Sequence, residues 1–178
     1  PSEVEEEVEE EEVIKEIKYF NDVVSGEKIE FLFEEGITKI NKIKLITRSD
    51  SDIVFVTTKK LEGKPDELEE PLSLIYSYIE ITAENADVDT AEIHFIIEKS
   101  WLEQNNFTKE SVRLLRFNES WEELITGLVD EKEEVIEYES ISPGFSTFAI
   151  TAGVIVTEEE IIITSSVTEE MPKIKGIK

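Results

Sequence analysis

Two asparagine motifs carry the residue types that a covalent modification needs. Asn106-Phe107-Thr108 and Asn118-Glu119-Ser120 both fit the Asn-X-Ser/Thr pattern that accepts an N-linked glycan. Polar residues interrupt the apolar pattern at both places, so both asparagines are predicted to lie in exposed loops. The sequence therefore identifies Asn106 and Asn118 as glycosylation candidates, with a chance occurrence of the triplet as the alternative.

Calcium is the only cofactor for which the sequence offers candidate ligands. Asp87 and Asp89 stand in a polar stretch between two apolar segments, and carboxylate oxygens are the ligands that Ca²⁺ prefers. Their spacing is not that of a dedicated calcium-binding loop. A solvated acidic turn is the alternative, and no other metal site is predicted.

Catalytic motifs are missing from the sequence. The chain has one histidine, His94, and no cysteine, so no second histidine can complete a zinc site and no thiolate is present. His94 is predicted to be a surface or pairing residue rather than a ligand. Neither a nucleophile motif nor a glycine-rich phosphate loop occurs. The sequence predicts a protein that is not an enzyme, with an unrecognised pair of catalytic carboxylates as the alternative.

Charge and composition narrow the classes of partner. The 178 residues contain 43 acidic and 18 basic side chains, for a net charge of −25, which repels nucleic-acid phosphates and anionic membranes. The preference for Glu, Lys and Ile is typical of thermophile proteins. No apolar run is long enough to span a bilayer. Nucleic-acid binding and membrane insertion are therefore not expected.

Hydrophobic patterning predicts an all-β fold. About 8–10 short strands recur at the spacing typical of an antiparallel β-sandwich, and residues 98–105 around Trp101 form the one short helix candidate. Residues 37–47 and 53–58 are predicted to pair as a hairpin, and residues 72–82 to form a central strand. The pattern of residues 13–20 fits a helix or a strand, and a strand is predicted. Alternation predicts that the side chains of Ile29, Phe31 and Phe33, and those of Ile93, Phe95 and Ile97, point inward, with His94 on the opposite face. Residues 127–134 are predicted to be an acidic loop.

The stretch Pro143-Gly144-Phe145 is predicted to turn the chain into a final strand. Phe145 and Phe148 have opposite parity, so strict alternation cannot place both side chains on one face. A bulge near Ser146 or a corner is therefore expected.

Several motifs in a fixed order give the chain a family resemblance. The segments are residues 76–81 with Asn85, 99–103 with Asn105, 112–118, 121–126 and 143–150. In this order they resemble the PGF-pre-PGF domain of archaeal cell-surface, S-layer-related proteins over roughly residues 17–153. The structural signature of that domain would be Trp101, Trp121, Pro143, Gly144, Phe145 and Phe148.

The resemblance implies a secreted, extracellular domain of the archaeal cell surface with no established enzymatic activity. The like-charge run of residues 1–12 predicts a flexible acidic tail or linker. The β-sandwich domain is expected at residues 13–152, followed by a C-terminal extension at 153–178. The extension departs from the family, because no second PGF motif and no membrane helix follow. Any signal or anchor is expected to lie outside this sequence.

The extension contains an apolar, β-branched segment that is predicted to be an assembly strand. Its hydrophobic residues are Val154, Ile155, Val156, Ile161, Ile162 and Ile163. Such a strand either completes its own sandwich or adds to a sheet of a neighbouring copy. The sequence thus favours a structural subunit of a filament, pilus or S-layer-like coat that assembles with copies of itself. The alternative is an adhesion module that binds a glycan or another envelope protein.

Overall fold

The computed structural model describes residues 12–34 and 37–153, and these residues form the predicted antiparallel β-sandwich. The acidic residues 1–11 and the predicted assembly strand at 154–163 lie outside the described residues. The described residues contain eleven strands, where the sequence predicted about 8–10. They are β1 Lys15–Val23, β2 Lys28–Leu32, β3 Ile40–Thr47, β4 Ser51–Leu61, β5 Leu74–Glu84, β6 Val88–Glu98, β7 Val112–Asn118, β8 Ser120–Glu123, β9 Thr126–Glu131, β10 Val135–Ser142 and β11 Thr147–Ala152.

The strands divide into two sheets that face each other across one core. The six-stranded sheet has the order β1-β4-β5-β11-β7-β8, and the five-stranded sheet has the order β2-β3-β6-β10-β9, with every pair antiparallel. The short helix α1, Lys99–Gln104, follows β6 and buries Leu102. The predicted helix near Trp101 is therefore confirmed.

The predicted hairpin between residues 37–47 and 53–58 is wrong. These residues form β3 and β4, but β3 pairs with β2 and β6, whereas β4 pairs with β1 and β5. The alternation of buried and exposed residues cannot tell a hairpin from two strands in opposite sheets. In both arrangements the apolar faces of the two strands cover the same core. The Arg48 backbone N–H donates to the Asp87 carbonyl at 2.8 Å at this crossing.

Alternation identifies the core face of the five-stranded sheet correctly. Ile93, Phe95 and Ile97 of β6 are buried, as predicted, and Tyr138 of β10 stacks on Phe95 with ring centroids 5.6 Å apart. The Tyr138 hydroxyl donates to the Lys109 carbonyl at 2.7 Å. Burial raises the pKa of Tyr138 above its ordinary value, so this hydroxyl remains a donor.

The structure decides two expectations along the last third of the chain. The predicted acidic loop at residues 127–134 is wrong, because most of it is strand β9, an edge strand whose exposed acidic residues face water. Of the bulge or corner expected near Ser146, the structure has the corner, where the chain passes from β10 in one sheet to β11 in the other. Phe145 lies in the turn before β11, so it does not take part in the alternation of side chains along that strand. The register of β11 against β5 shifts further along, between Ile150 and Thr151.

Candidate functional site

The longest edge strand of the sandwich is β1. It pairs with β4 from Lys15 to Val23, and within residues 12–34 and 37–153 no strand pairs with its other side. An unpaired edge presents a row of backbone N–H and C=O groups that can accept another strand. The prediction of a strand over residues 13–20 is thus confirmed, and its place at the sheet edge comes from the structure.

Two large hydrophobic side chains are exposed on the outer face of β1. Ile17 and Tyr19 are 52% and 62% exposed, and the Tyr19 ring lies 6.2 Å from that of Phe55 on β4. On the inner side, Glu16 and Lys18 form an ion pair of 3.1 Å, and the Glu16 carboxylate also accepts the backbone N–H of Glu34. Glu16 and Lys18 are therefore engaged within the molecule, while Ile17 and Tyr19 face water.

The other edge strands are shorter. β2 has five residues, β8 has four and β9 has six, against nine for β1. Hydrophobic side chains are exposed on two of them, with Leu32 on β2 at 60% and Leu128 on β9 at 46%. The number of backbone hydrogen bonds that a donated strand can form grows with the length of the edge, so β1 offers the largest gain.

The Pro143-Gly144-Phe145 turn is a structural corner. The Ser142 hydroxyl donates to the Gly144 carbonyl, and the Ser146 hydroxyl donates to the Phe117 carbonyl, both at 2.6 Å. Phe145 packs against the core. Gly144 does not adopt a positive φ, so the left-handed conformation available to glycine is not what this turn uses.

The remaining signature residues hold different parts of the sandwich. Phe148 is fully buried on β11, and Trp101 packs on Tyr76 with ring centroids 4.9 Å apart. Trp121 packs beside Phe117 and donates its indole N–H to the Glu69 carbonyl at 2.6 Å. These residues do not converge on one site.

Both glycosylation candidates lie at turns. Asn106 follows α1 in the left-handed conformation with φ of 57°, and Asn118 is the last residue of β7, where it is exposed. The Asn118 amide donates to Glu122 at 3.2 Å. A position in a turn satisfies one requirement for glycosylation, which stays a prediction.

The calcium candidates face a guanidinium group. Asp87 and Asp89 lie 3.1 and 3.3 Å from the two terminal nitrogens of Arg48. Calcium binding at this pair stays a prediction, and the ion would have to displace Arg48.

His94 occupies a place that the sequence did not indicate. It lies on the outward face of β6, opposite the core residues as predicted, but it is buried rather than exposed at the surface. Its Nε2 atom lies 2.9 Å from Glu92 Oε1, and its Nδ1 atom lies 3.1 Å from Glu137 Oε1. The part of the prediction that made His94 a pairing residue is confirmed.

Two lysines complete the surroundings of this histidine. Lys28 and Lys44 lie 3.5 and 3.7 Å from the Glu92 carboxylate. Burial opposes ionisation of Glu92, but the hydrogen bond with His94 and the charge of Lys44 outweigh it and hold the pKa of Glu92 below its ordinary value. Glu92 is thus a carboxylate at neutral pH.

The carboxylates around His94 were missed because they come from two strands. Glu92 and His94 alternate on one strand face, which the sequence pattern does show, whereas Glu139 reaches His94 through the register of β10 against β6. That register cannot be read from residue types alone. Among the described residues, Glu92, His94 and Glu139 are the one group of three metal-ligating side chains brought together.

Comparison with known proteins found no matching family model and no similar curated protein. Within the described residues, no helix has the length and apolar character needed to cross a membrane.

Proposed function

We propose that this protein is a non-enzymatic structural subunit of an archaeal extracellular assembly, a filament or an S-layer-like coat, whose copies join by β-strand addition. The observation that carries the proposal is the open edge of β1 with its exposed Ile17 and Tyr19. The surface location is supported by the family resemblance.

The occupant of this edge is residues 154–163 of a second copy. This segment is rich in β-branched apolar residues, contains no proline, and its ten residues match the nine of β1. Its central acidic residues, 158–160, are opposite in charge to Lys15 of β1. Pairing supplies backbone hydrogen bonds, and the apolar residues would add to the surface around Tyr19.

Truncation after Gly153 tests the donor strand. The full chain is expected to form polymers that are visible by electron microscopy and sediment rapidly. The truncated chain, which keeps the whole described sandwich, is expected to remain folded by circular dichroism and to sediment as a monomer. Equal sedimentation of the two chains would overturn the proposal.

Tyr19→Lys tests the acceptor edge, with Leu128→Lys on β9 as the matched control. Both residues are exposed hydrophobics on edge strands, so either substitution should leave the fold intact. Loss of polymers in Y19K alone is expected. Loss in L128K alone would place the acceptor at β9 and contradict the assignment to β1.

An open groove favours a second candidate function, an adhesion module that binds a glycan or another envelope protein. The groove measures about 480 Å³ and is lined by Phe145, Ser146, Thr147 and residues of β5, a size within the usual range of ligand sites. A chain that stays monomeric and binds envelope glycans in an array, with binding lost in Phe145→Ala, would support this function over assembly.

A further inference from the structure

Three metal-ligating side chains converge on the outer face of the five-stranded sheet. Glu92 and His94 are two residues apart on β6, so they share that face, and Glu139 is the register partner of His94 on β10. His94 Nε2 lies 2.9 Å from Glu92 Oε1 and 3.6 Å from Glu139 Oε2. One donor atom from each residue falls within 4.8 Å of the other two, which is a separation that one cation can bridge.

Glu137 holds the imidazole in a metal-binding orientation. Its carboxylate lies 3.1 Å from His94 Nδ1, on the side of the ring away from Glu92. A carboxylate only accepts hydrogen bonds, so the Nδ1 position must carry the proton. Histidine ligands in metal sites characteristically donate the non-ligating N–H to a carboxylate in this manner. The His94 side chain is 4% exposed, so its rotation is restricted.

We propose that Glu92, His94 and Glu139 bind one divalent cation of the zinc class, with Glu137 as a positioning residue. The ion would occupy the place of the proton between Nε2 and the two carboxylates. A mixed nitrogen and oxygen donor set suits Zn²⁺ and related transition metals, whereas Ca²⁺ and Mg²⁺ prefer oxygen ligands alone. The Glu139 side chain is 44% exposed, which gives the ion a path from solvent.

The neighbouring charges bear on the affinity of this site. Lys28 and Lys44 contact Glu92, and Lys42 is the register partner of His94 on β3. Together with the hydrogen bond from His94, the charges of Lys44 and Lys28 keep Glu92 ionised, which metal binding requires. All three ammonium groups also repel a cation. We therefore expect weaker binding than at a structural zinc site with four protein ligands.

The single histidine makes the site directly observable. Long-range ¹H–¹⁵N spectra of the full chain contain one imidazole, since His94 is the only histidine. Addition of Zn²⁺ is expected to shift the Nε2 resonance to saturation at one equivalent while Nδ1 keeps its proton. An unchanged imidazole spectrum at stoichiometric Zn²⁺ would overturn the proposal, as would an equal response to Ca²⁺.

Calorimetric titration of variants with Zn²⁺ assigns the ligands. E139Q alters the most exposed ligand, so the fold should be retained, and affinity is expected to fall at least about 10-fold. E84Q makes the same chemical change at an exposed site on the other sheet and should bind Zn²⁺ like the wild-type chain. Equal loss in E139Q and E84Q would mean diffuse binding to acidic residues and would refute the site.

Glu137→Gln tests whether Glu137 orients the His94 imidazole without binding the ion itself. An amide can donate to Nδ1, so the ring no longer needs its proton there, and both the tautomer in the ¹⁵N spectrum and the zinc affinity should change. Unaltered tautomer and affinity would contradict the role of Glu137. The site lies on the sheet opposite β1, so its failure would leave the proposed assembly unaffected.

Discussion

Substitution of Gly153 tests the packing at the C-terminal end of the sandwich. It follows β11 directly and has φ of +110°, a conformation that side-chain-bearing residues rarely adopt. A Cβ atom there would stand 3.1 Å from Cε1 of Phe107, and Phe107 packs against the core. Gly153→Ala therefore introduces both backbone strain and a tight contact.

Two other glycines separate these effects. Gly26 has φ of +81°, but no atom lies within 4 Å of the position that an alanine Cβ would take, so G26A measures the backbone cost alone, and Gly127 has neither feature. We expect G26A to destabilise by about 1–2 kcal/mol and G153A by about 2–4 kcal/mol. The free energy of unfolding of G127A should lie within about 0.5 kcal/mol of the wild-type value. Alanine restricts the conformations of the unfolded chain and introduces no backbone strain at this position.

Urea denaturation followed by circular dichroism measures the three changes. For a domain of this size, about 1 kcal/mol corresponds to roughly 2–4 °C in thermal midpoint, so G153A should also melt clearly below G127A. Phe107→Leu in the G153A background is expected to cost less than the sum of the two single changes, because the contact is shared. Equal stability of G153A and G127A would refute the reasoning.

Further predictions concern single contacts. Tyr138→Phe removes the hydrogen bond to the Lys109 carbonyl and should cost about 1 kcal/mol in urea denaturation; wild-type stability would contradict this. Trp121→Phe removes the hydrogen bond to the Glu69 carbonyl. Proteolysis within residues 62–73 should therefore be faster, while the thermal midpoint changes little. Cleavage at the wild-type rate would count against this role of Trp121. Hydrogen bonding and charge, chiefly from Lys109, lower the pKa of Glu131. Because the folded pKa is depressed, this pair stabilises the fold above the unfolded-state pKa, and its contribution is lost as pH falls through the folded value. Carboxyl NMR titration should show the pKa of Glu131 rising in K109M, and no rise would exclude the pairing.

Salt should affect assembly in a direction set by the net charge. Copies that carry −25 repel one another, and the Debye length falls to about 10 Å at 0.1 M salt. Light scattering is therefore expected to show more polymer at moderate salt than at very low salt. Polymers that form only at low salt would indicate that attraction between charged groups dominates instead.

Local patterns were sufficient to identify many strands. The alternation of Ile29, Phe31 and Phe33, and that of Ile93, Phe95 and Ile97, assigned the buried face of β2 and β6 correctly. The patterning also identified the helix at Trp101. Alternation failed at β9, where exposed acidic residues on an edge strand resemble a loop.

The sequence by itself determined an acidic, cysteine-free β-sandwich and the face that each regular strand buries, because side chains alternate with a period of two along any strand. Only the tertiary structure decided which strands pair. It assigned β3 and β4 to different sheets, left β1 at an edge, and brought Glu139 opposite His94. The physical reason is that burial of apolar surface stabilises every arrangement that covers the same apolar face. Strand pairing and register depend instead on contacts between residues far apart in the chain.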